Sequence, residues 1–243
     1  MNNKSKLSDL LEITPGSVVA VVGCGGKTSL IECLVYENRD KKVLVTPTTK
    51  IFLMNTAGVM LCDTLKSSIE HEPQVGVQCL GQFNERSGKL DALPEQVLAE
   101  LVPRYDIVLM EADGSRRLPC KGWLDDEPVI PRFTTHTTGV VTMDALGKAA
   151  TSDVVHNLQK FLSLTGLRKG DIINKQVIED MVCLPGGMFK GSIGYRYLLV
   201  NQVEDDKTTQ IAESFLREIK KKYHDGFKCL IFGSVQQNVW HEM

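Results

Sequence analysis

Residues 17–29 read SVVAVVGCGGKTS. Ser17–Val22 is a continuous, mostly β-branched run, the pattern of a strand buried on both faces. Three glycines follow within four residues. Leu30, Ile31, Leu34 and Val35 then recur on one face of a helix. A second apolar run, Lys42–Val45, completes the order strand, glycine loop, helix, strand, which is a βαβ unit.

The same alternation continues along the chain. A short helix is expected at Leu7–Leu11, ended by the turn residues Thr14-Pro15-Gly16. Strands are expected at Val59–Cys62, Gln74–Leu80, Tyr105–Met110, Gly139–Met143, Tyr197–Val200 and Lys228–Phe232. Helices are expected at Pro94–Val102, Ser152–Leu164 and Lys207–Tyr223. In the last of these, Ile211, Phe215, Ile219 and Tyr223 repeat every four residues, as suits a helix lying on a sheet. Alternating elements of this kind predict an α/β chain with a mostly parallel sheet covered on both faces. The expected architecture is one three-layer α/β/α domain over residues 1–243, of the P-loop NTPase-like kind. The largest interruption is the loop-rich segment 118–137, read as a lid or a substrate-facing insertion.

The glycine loop follows a buried strand and opens a helix, the context a phosphate-binding loop requires. Gly23, Gly25 and Gly26 let backbone N–H groups curl around phosphate oxygens, together with the Cys24 and Ser29 positions. Lys27 is expected to reach the β- and γ-phosphates, and Thr28 to place its hydroxyl on Mg²⁺. The common eight-residue form would need glycine at Val21. This loop is two residues shorter, and its GxxGKT[ST] pattern resembles the nucleotide loop of the Mur ligases.

A second element is Tyr105–Ser115, YDIVLMEADGS, where a buried strand ends in acidic residues. A nucleotide site needs a carboxylate there, at Mg²⁺ or at the attacking water. Glu111 and Asp113 both qualify. Counted from Glu111, the segment fits ExxG and resembles the third motif of the metallochaperone GTPases that serve nickel and cobalamin enzymes. That resemblance implies Glu111 at the strand end and Gly114 as the sensor of the γ-phosphate. Asp113 binding the metal through water stays open beside it. Arg116 and Arg117 follow directly and suit an anionic substrate or developing phosphoryl charge.

Further along, Tyr197–Asp205 reads YLLVNQVED. GTPases carry NKxD at such a strand end, and the matching positions here are Asn201, Gln202, Val203 and Glu204. The replacements leave both ATP and GTP open. A polar helix start capped by Asp205 or Asp206 reads the same residues differently. After the second strand, Thr46–Lys50 offers Thr48 or Thr49 to the Mg²⁺ shell and Lys50 to an anion. The turn 185–194, PGGMFKGSIG, could bring Lys190 to an anion as well, although a plain surface turn also accounts for it.

Composition excludes several classes. A net charge of −2 gives no basic field for nucleic acid. The seven cysteines are scattered and never spaced CxxC, which argues against disulfides and structural zinc. The five histidines form no ligand set. No apolar run approaches the ~20 residues of a membrane span, and no leader pattern opens the chain. A cytoplasmic setting with neither nucleic acid nor membrane as partner is expected.

Six segments carry a family resemblance: SVVAVVGCGGKTSLI, VLVTPTTKIF, EADGSRRLPCKGW, EPVIP, TMDALGKA and LLVNQVED. In this order, from about Ser17 to Phe232, they resemble the YqeC family, accessory proteins of selenium-dependent molybdenum hydroxylases. The resemblance implies a part in maturing such hydroxylases, through handling of selenium or of the molybdenum cofactor, with the hydroxylase or its maturation proteins as partner. Cys24 is commonly alanine and Cys120 commonly aliphatic in that family, so neither thiol is a general catalytic group of it. Three readings of the activity follow: turnover of a nucleoside triphosphate with Mg²⁺, nucleotide-gated assembly without turnover, or selenium transfer on Cys24 or Cys120.

Overall fold

The run from Ser17 forms strand β1 (Ser17–Gly23), and all of it is buried. In the computed structural model, which describes residues 6–49, 51–52, 70, 72–84 and 89–243, this strand lies inside a sheet of eight. Its neighbours are β7 (Ile107–Glu111) and β9 (His136–Thr142), both parallel to it. Beyond β7 come β2 (Lys42–Pro47) and β4 (Gly76–Cys79), while β3 (Ile51–Phe52), β5 (Gln82–Asn84) and β6 (Lys89–Asp91) form a separate small sheet. Beyond β9 come β11 (Tyr195–Asn201), β12 (Cys229–Ser234) and β13 (Val239–Glu242). Among the described residues, only β13 runs antiparallel in the eight-stranded sheet. The α/β class and the mostly parallel sheet agree with the sequence reading.

Alternate residues of β1 serve opposite cores. Val19 and Val21 join Leu30, Ile31 and Leu34 of helix α2 (Lys27–Glu37), with α1 (Leu7–Leu10) packed alongside. Val18, Ala20 and Val22 join the larger core on the other face. There the covering helices are α3 (Glu95–Leu101), α4 (Leu158–Thr165), α5 (Lys175–Cys183) and α6 (Asp206–Lys222). Each buried valine or leucine contributes about 1.5–3 kcal/mol relative to exposure, so a strand apolar on both sides belongs in the middle. Such a strand has no polar face to fix its register. Gly23 supplies the missing constraint: a Cβ there would collide with the Val140 carbonyl and sit 2.8 Å from the Met188 methyl.

The chain leaves β1 through α2 toward β2, and leaves β9 toward β11 on the opposite side. The carboxyl ends of β1 and β9 thus flank the crevice where open α/β sheets bind ligands.

Several expectations are corrected in detail. The helix expected at Ser152–Leu164 begins only at Leu158, because Asn157 is left-handed (φ 55°) and Val155–His156 form a short strand, β10. Helix α5 and the hairpin strand β13 were not expected. The strand expected at Val59–Cys62 lies outside the described residues, as does Lys50. Segment 118–137 is not a free lid. Its β8 (Cys120–Lys121) pairs with β10, Trp123 is buried, and Lys190 donates to the carbonyls of Leu124 and Asp125. Lys190 therefore clamps this segment rather than facing an anion. No helix among the described residues is long and apolar enough to cross a membrane.

Candidate functional site

Gly26 ends the loop as the N-cap of α2, with φ 116°. Only glycine adopts that backbone freely, and a Cβ there would lie 2.5 Å from the Asn201 side-chain nitrogen. The first helical hydrogen bond runs from the Leu30 N–H to the Gly26 carbonyl. The N–H groups of Lys27, Thr28 and Ser29 consequently have no acceptor among the described residues. Such orphan donors at the positive end of an eleven-residue helix form an anion site.

Lys27 is buried, yet its ammonium donates to the Gly23 carbonyl at 2.6 Å and to the Ser115 hydroxyl at 3.3 Å. Asp113 lies 3.2 Å from it and Glu111 3.7 Å. Burial alone would lower the Lys27 pKa, but the Asp113 and Glu111 carboxylates outweigh it and hold the ammonium above its ordinary range. Glu111 is raised, chiefly by burial, with Lys27 pulling the other way. Its Oε2 accepts the Thr28 hydroxyl at 3.1 Å.

Asp113 has no exposed surface. Both its oxygens accept the Gly23 N–H at 3.1 Å, and Oδ2 accepts the Trp123 indole N–H at 2.6 Å. A second buried cation, Lys121, stands 3.5 Å from Asp113, donates to the Gly114 carbonyl at 2.6 Å and pairs with Glu127 at 2.9 Å. Asp113 is thus spent on holding the glycine loop. Glu111 and Thr28 are the pair that faces the outer side of Lys27.

The other expected residues fall around this centre. Thr48 donates its hydroxyl to the Val129 carbonyl at 2.6 Å, while its N–H bonds the Glu111 carbonyl at 3.1 Å. The neighbouring Thr49 hydroxyl is buried and has no partner among the described residues. Arg116 and Arg117 are exposed and left-handed, φ 50° and 61°. No bond joins Arg116 to the Lys27 cluster among the described residues; its charge instead helps to lower the His156 pKa, after burial and Lys121. Cys24 donates its thiol to the Pro119 carbonyl at 3.0 Å, is fully buried, and is pushed up to about 12 by that burial.

Asn201 donates to the Gly25 carbonyl at 2.8 Å and accepts the Val235 N–H at 3.0 Å. Gln202 accepts the Thr142 hydroxyl at 2.7 Å. Asp205, not Asp206, caps α6, accepting the Thr208 N–H at 2.7 Å. Glu204 turns to Ser234, whose hydroxyl donates to it at 2.8 Å. Lys121, Trp123, Glu127 and Ser115 were missed as site residues. The only sequence signal was a lysine two residues before a tryptophan in an otherwise apolar run, and lysine ordinarily marks a surface.

The YqeC family model matches residues 19–159, more than half of the chain, from β1 through Asp113, Lys121 and β10. A protein of Escherichia coli K12 described as "Uncharacterized protein YqeC" is 29% identical over 180 residues. That alignment covers 72% of this chain and 70% of the E. coli protein. The chain carrying this glycine loop and its buried carboxylate–lysine centre belongs to the YqeC family.

Proposed function

We propose that this protein binds a nucleoside triphosphate, ATP or GTP, with Mg²⁺ at Gly23–Thr28 of a P-loop NTPase-like fold. The bound nucleotide is then hydrolysed, or its phosphoryl group transferred, in the maturation of a selenium-dependent molybdenum hydroxylase. One observation carries the nucleotide reading: a buried, charged Lys27 beside the three orphan N–H groups that open α2. Hydroxylase maturation rests on the family resemblance alone.

In this reading the Lys27 ammonium and the loop amides hold the phosphate oxygens and compensate their charge. Thr28 and Glu111 are hard oxygen donors 3.1 Å apart and fit a Mg²⁺ ion that keeps several waters. The raised Glu111 carboxyl fits the same assignment, since a cation beside it favours its ionised form. Thr49, with its buried unpartnered hydroxyl, is better suited than Thr48 to complete that shell. When bound, Mg²⁺ supplies neutralisation of the phosphate oxygens. Asp113 positions the loop through Gly23, and Arg116 stands at the rim as the candidate for phosphoryl charge developing outside it. Such catalysis is positioning and electrostatics and needs no activated nucleophile.

Selenium transfer on Cys24 or Cys120 is disfavoured, because both thiols are buried and burial raises both pKa values. Gated assembly uses the same site and differs only in turnover.

The test is calorimetric and thermal titration with ATP and GTP plus Mg²⁺, comparing wild type with Lys27→Ala and Thr28→Val. A ligand at ~100 times its Kd should add about 2.7 kcal/mol to the native state. Both variants should lose that gain, Thr28→Val mainly its Mg²⁺ dependence. Wild type that binds no triphosphate under any of these conditions overturns the reading.

A further inference from the structure

A cavity of about 960 Å³ opens beside the glycine loop. One wall is the outer face of α2, from Gly26 and Ser29 to Tyr36. The other is formed by the loops that follow β11 and β12, with Asn201, Glu204 and Ser234. The cavity therefore begins where the phosphate site ends, and its size is that of a small-molecule pocket.

Three of these side chains differ in what they still have to offer. Asn201 has spent its amide: Nδ2 holds the Gly25 carbonyl and Oδ1 holds the Val235 N–H. It joins the cavity to the loop and has little left for a ligand. Tyr36 lines the cavity and is 67% exposed, with the Arg39 guanidinium over its ring, 4.3 Å from the centroid. Glu204 is exposed and acceptor-only, and its Oε1 is fixed by Ser234. An anchored carboxylate in a pocket next to a phosphate loop selects for a ligand edge with adjacent N–H donors.

We infer that this cavity is the nucleobase pocket and that Glu204, oriented by Ser234, makes it selective for guanine. The inference rests on the triphosphate reading of the glycine loop and adds the base. Guanine presents the N1–H and N2–H₂ donors side by side, and both can point at one carboxylate. Adenine and cytosine set a single amino group beside a ring-nitrogen acceptor, which a carboxylate repels. Uracil flanks its one N–H with two carbonyls. Selectivity comes from this repulsion as much as from the attraction. Asn201 is a positioning residue, coupling the pocket to the Gly25 peptide.

The experiment is calorimetric titration of the full chain, with Mg²⁺, by GTP, ATP and inorganic tripolyphosphate, for wild type, Glu204→Gln and Ser234→Ala. Wild type is expected to bind GTP at least ~10-fold tighter than ATP. Glu204→Gln should weaken GTP and, by removing the repulsion, tighten ATP, so that the GTP preference is lost, while leaving tripolyphosphate unchanged. Ser234→Ala should give a smaller loss in the same direction. Equal GTP and ATP binding in wild type, or a GTP preference that survives Glu204→Gln, overturns the guanine assignment and leaves the phosphate loop standing. Failure of all three ligands overturns both. Because Glu204 is exposed, the variant's far-UV circular dichroism and Tm should match wild type, so that a changed ratio reports recognition rather than misfolding.

Discussion

The two ends of the crevice along α2 are made of different material. At Gly23, Lys27, Glu111, Asp113 and Lys121 share a space almost without solvent, and every charge there touches an opposite one. At Glu204 and Tyr36 the cavity is open, and the charged groups reach water. The dry end supports the fold and the proposed chemistry together, so a change there alters both. The open end carries the proposed recognition with less structural duty, and a change at its exposed residues should alter selectivity alone.

The largest break should come from Asp113→Asn. It keeps the shape and the acceptor for Gly23 but leaves Lys27 and Lys121 short of negative charge in a dry site. Removing one partner from a buried ionic group costs about 3–5 kcal/mol. The urea midpoint should fall accordingly, with the slope unchanged. A loss below about 1 kcal/mol would mean that water reaches the cluster and that the contrast between the ends is false.

Glu111→Gln should have a smaller effect whose sign depends on pH. Burial holds the Glu111 carboxyl above its usual 4.5. The folded state therefore binds more protons than the unfolded one just above that pH, and stability falls as pH rises from about 4.5 toward the folded value. Glutamine carries no such proton. Relative to wild type, the variant should gain stability as pH rises through that window. Parallel pH profiles of the two proteins would show that Glu111 is solvated.

The smallest effect is expected at the open end. Tyr36→Ala should change stability by no more than about 0.5 kcal/mol, as for other exposed positions. It should weaken GTP and ATP alike, since a ring face does not read the base edge. A large loss of stability would move Tyr36 into the core and erase the contrast from the other side.

The same contrast governs what the sequence could reveal. Strand β1, its loop and α2 are local, and their signals are runs, glycines and helical spacing. Glu111, Asp113 and Lys27 were legible because the ends of buried strands are where polar residues need a reason. Lys121 was not, since its burial follows from the pairing of β8 with β10 and from Gly122, whose missing Cβ admits the Phe161 backbone. Helix α5 carried readable signals in the Asn174 cap and in Val177, Ile178, Met181 and Val182, but it is short and follows a loop. The late start of α4 depends on one left-handed asparagine, which no periodicity announces. Glu204 was visible only as one of two readings; the helix-start reading is met by the Asp205 cap, while Glu204 turns to Ser234.

A peptide unit is rigid, and in the trans form its C=O and N–H point in opposite directions. Asn201 grips the Gly25 carbonyl, and so it also sets the heading of the Gly26 N–H, the other end of that plate. Lys27 does the same for the Gly23 carbonyl and the Cys24 N–H, which is sent to the Val140 carbonyl. The amides of the loop are therefore not aimed by the glycines, which only permit the turn. They are aimed by levers, and the longest is an asparagine 176 residues further along the chain.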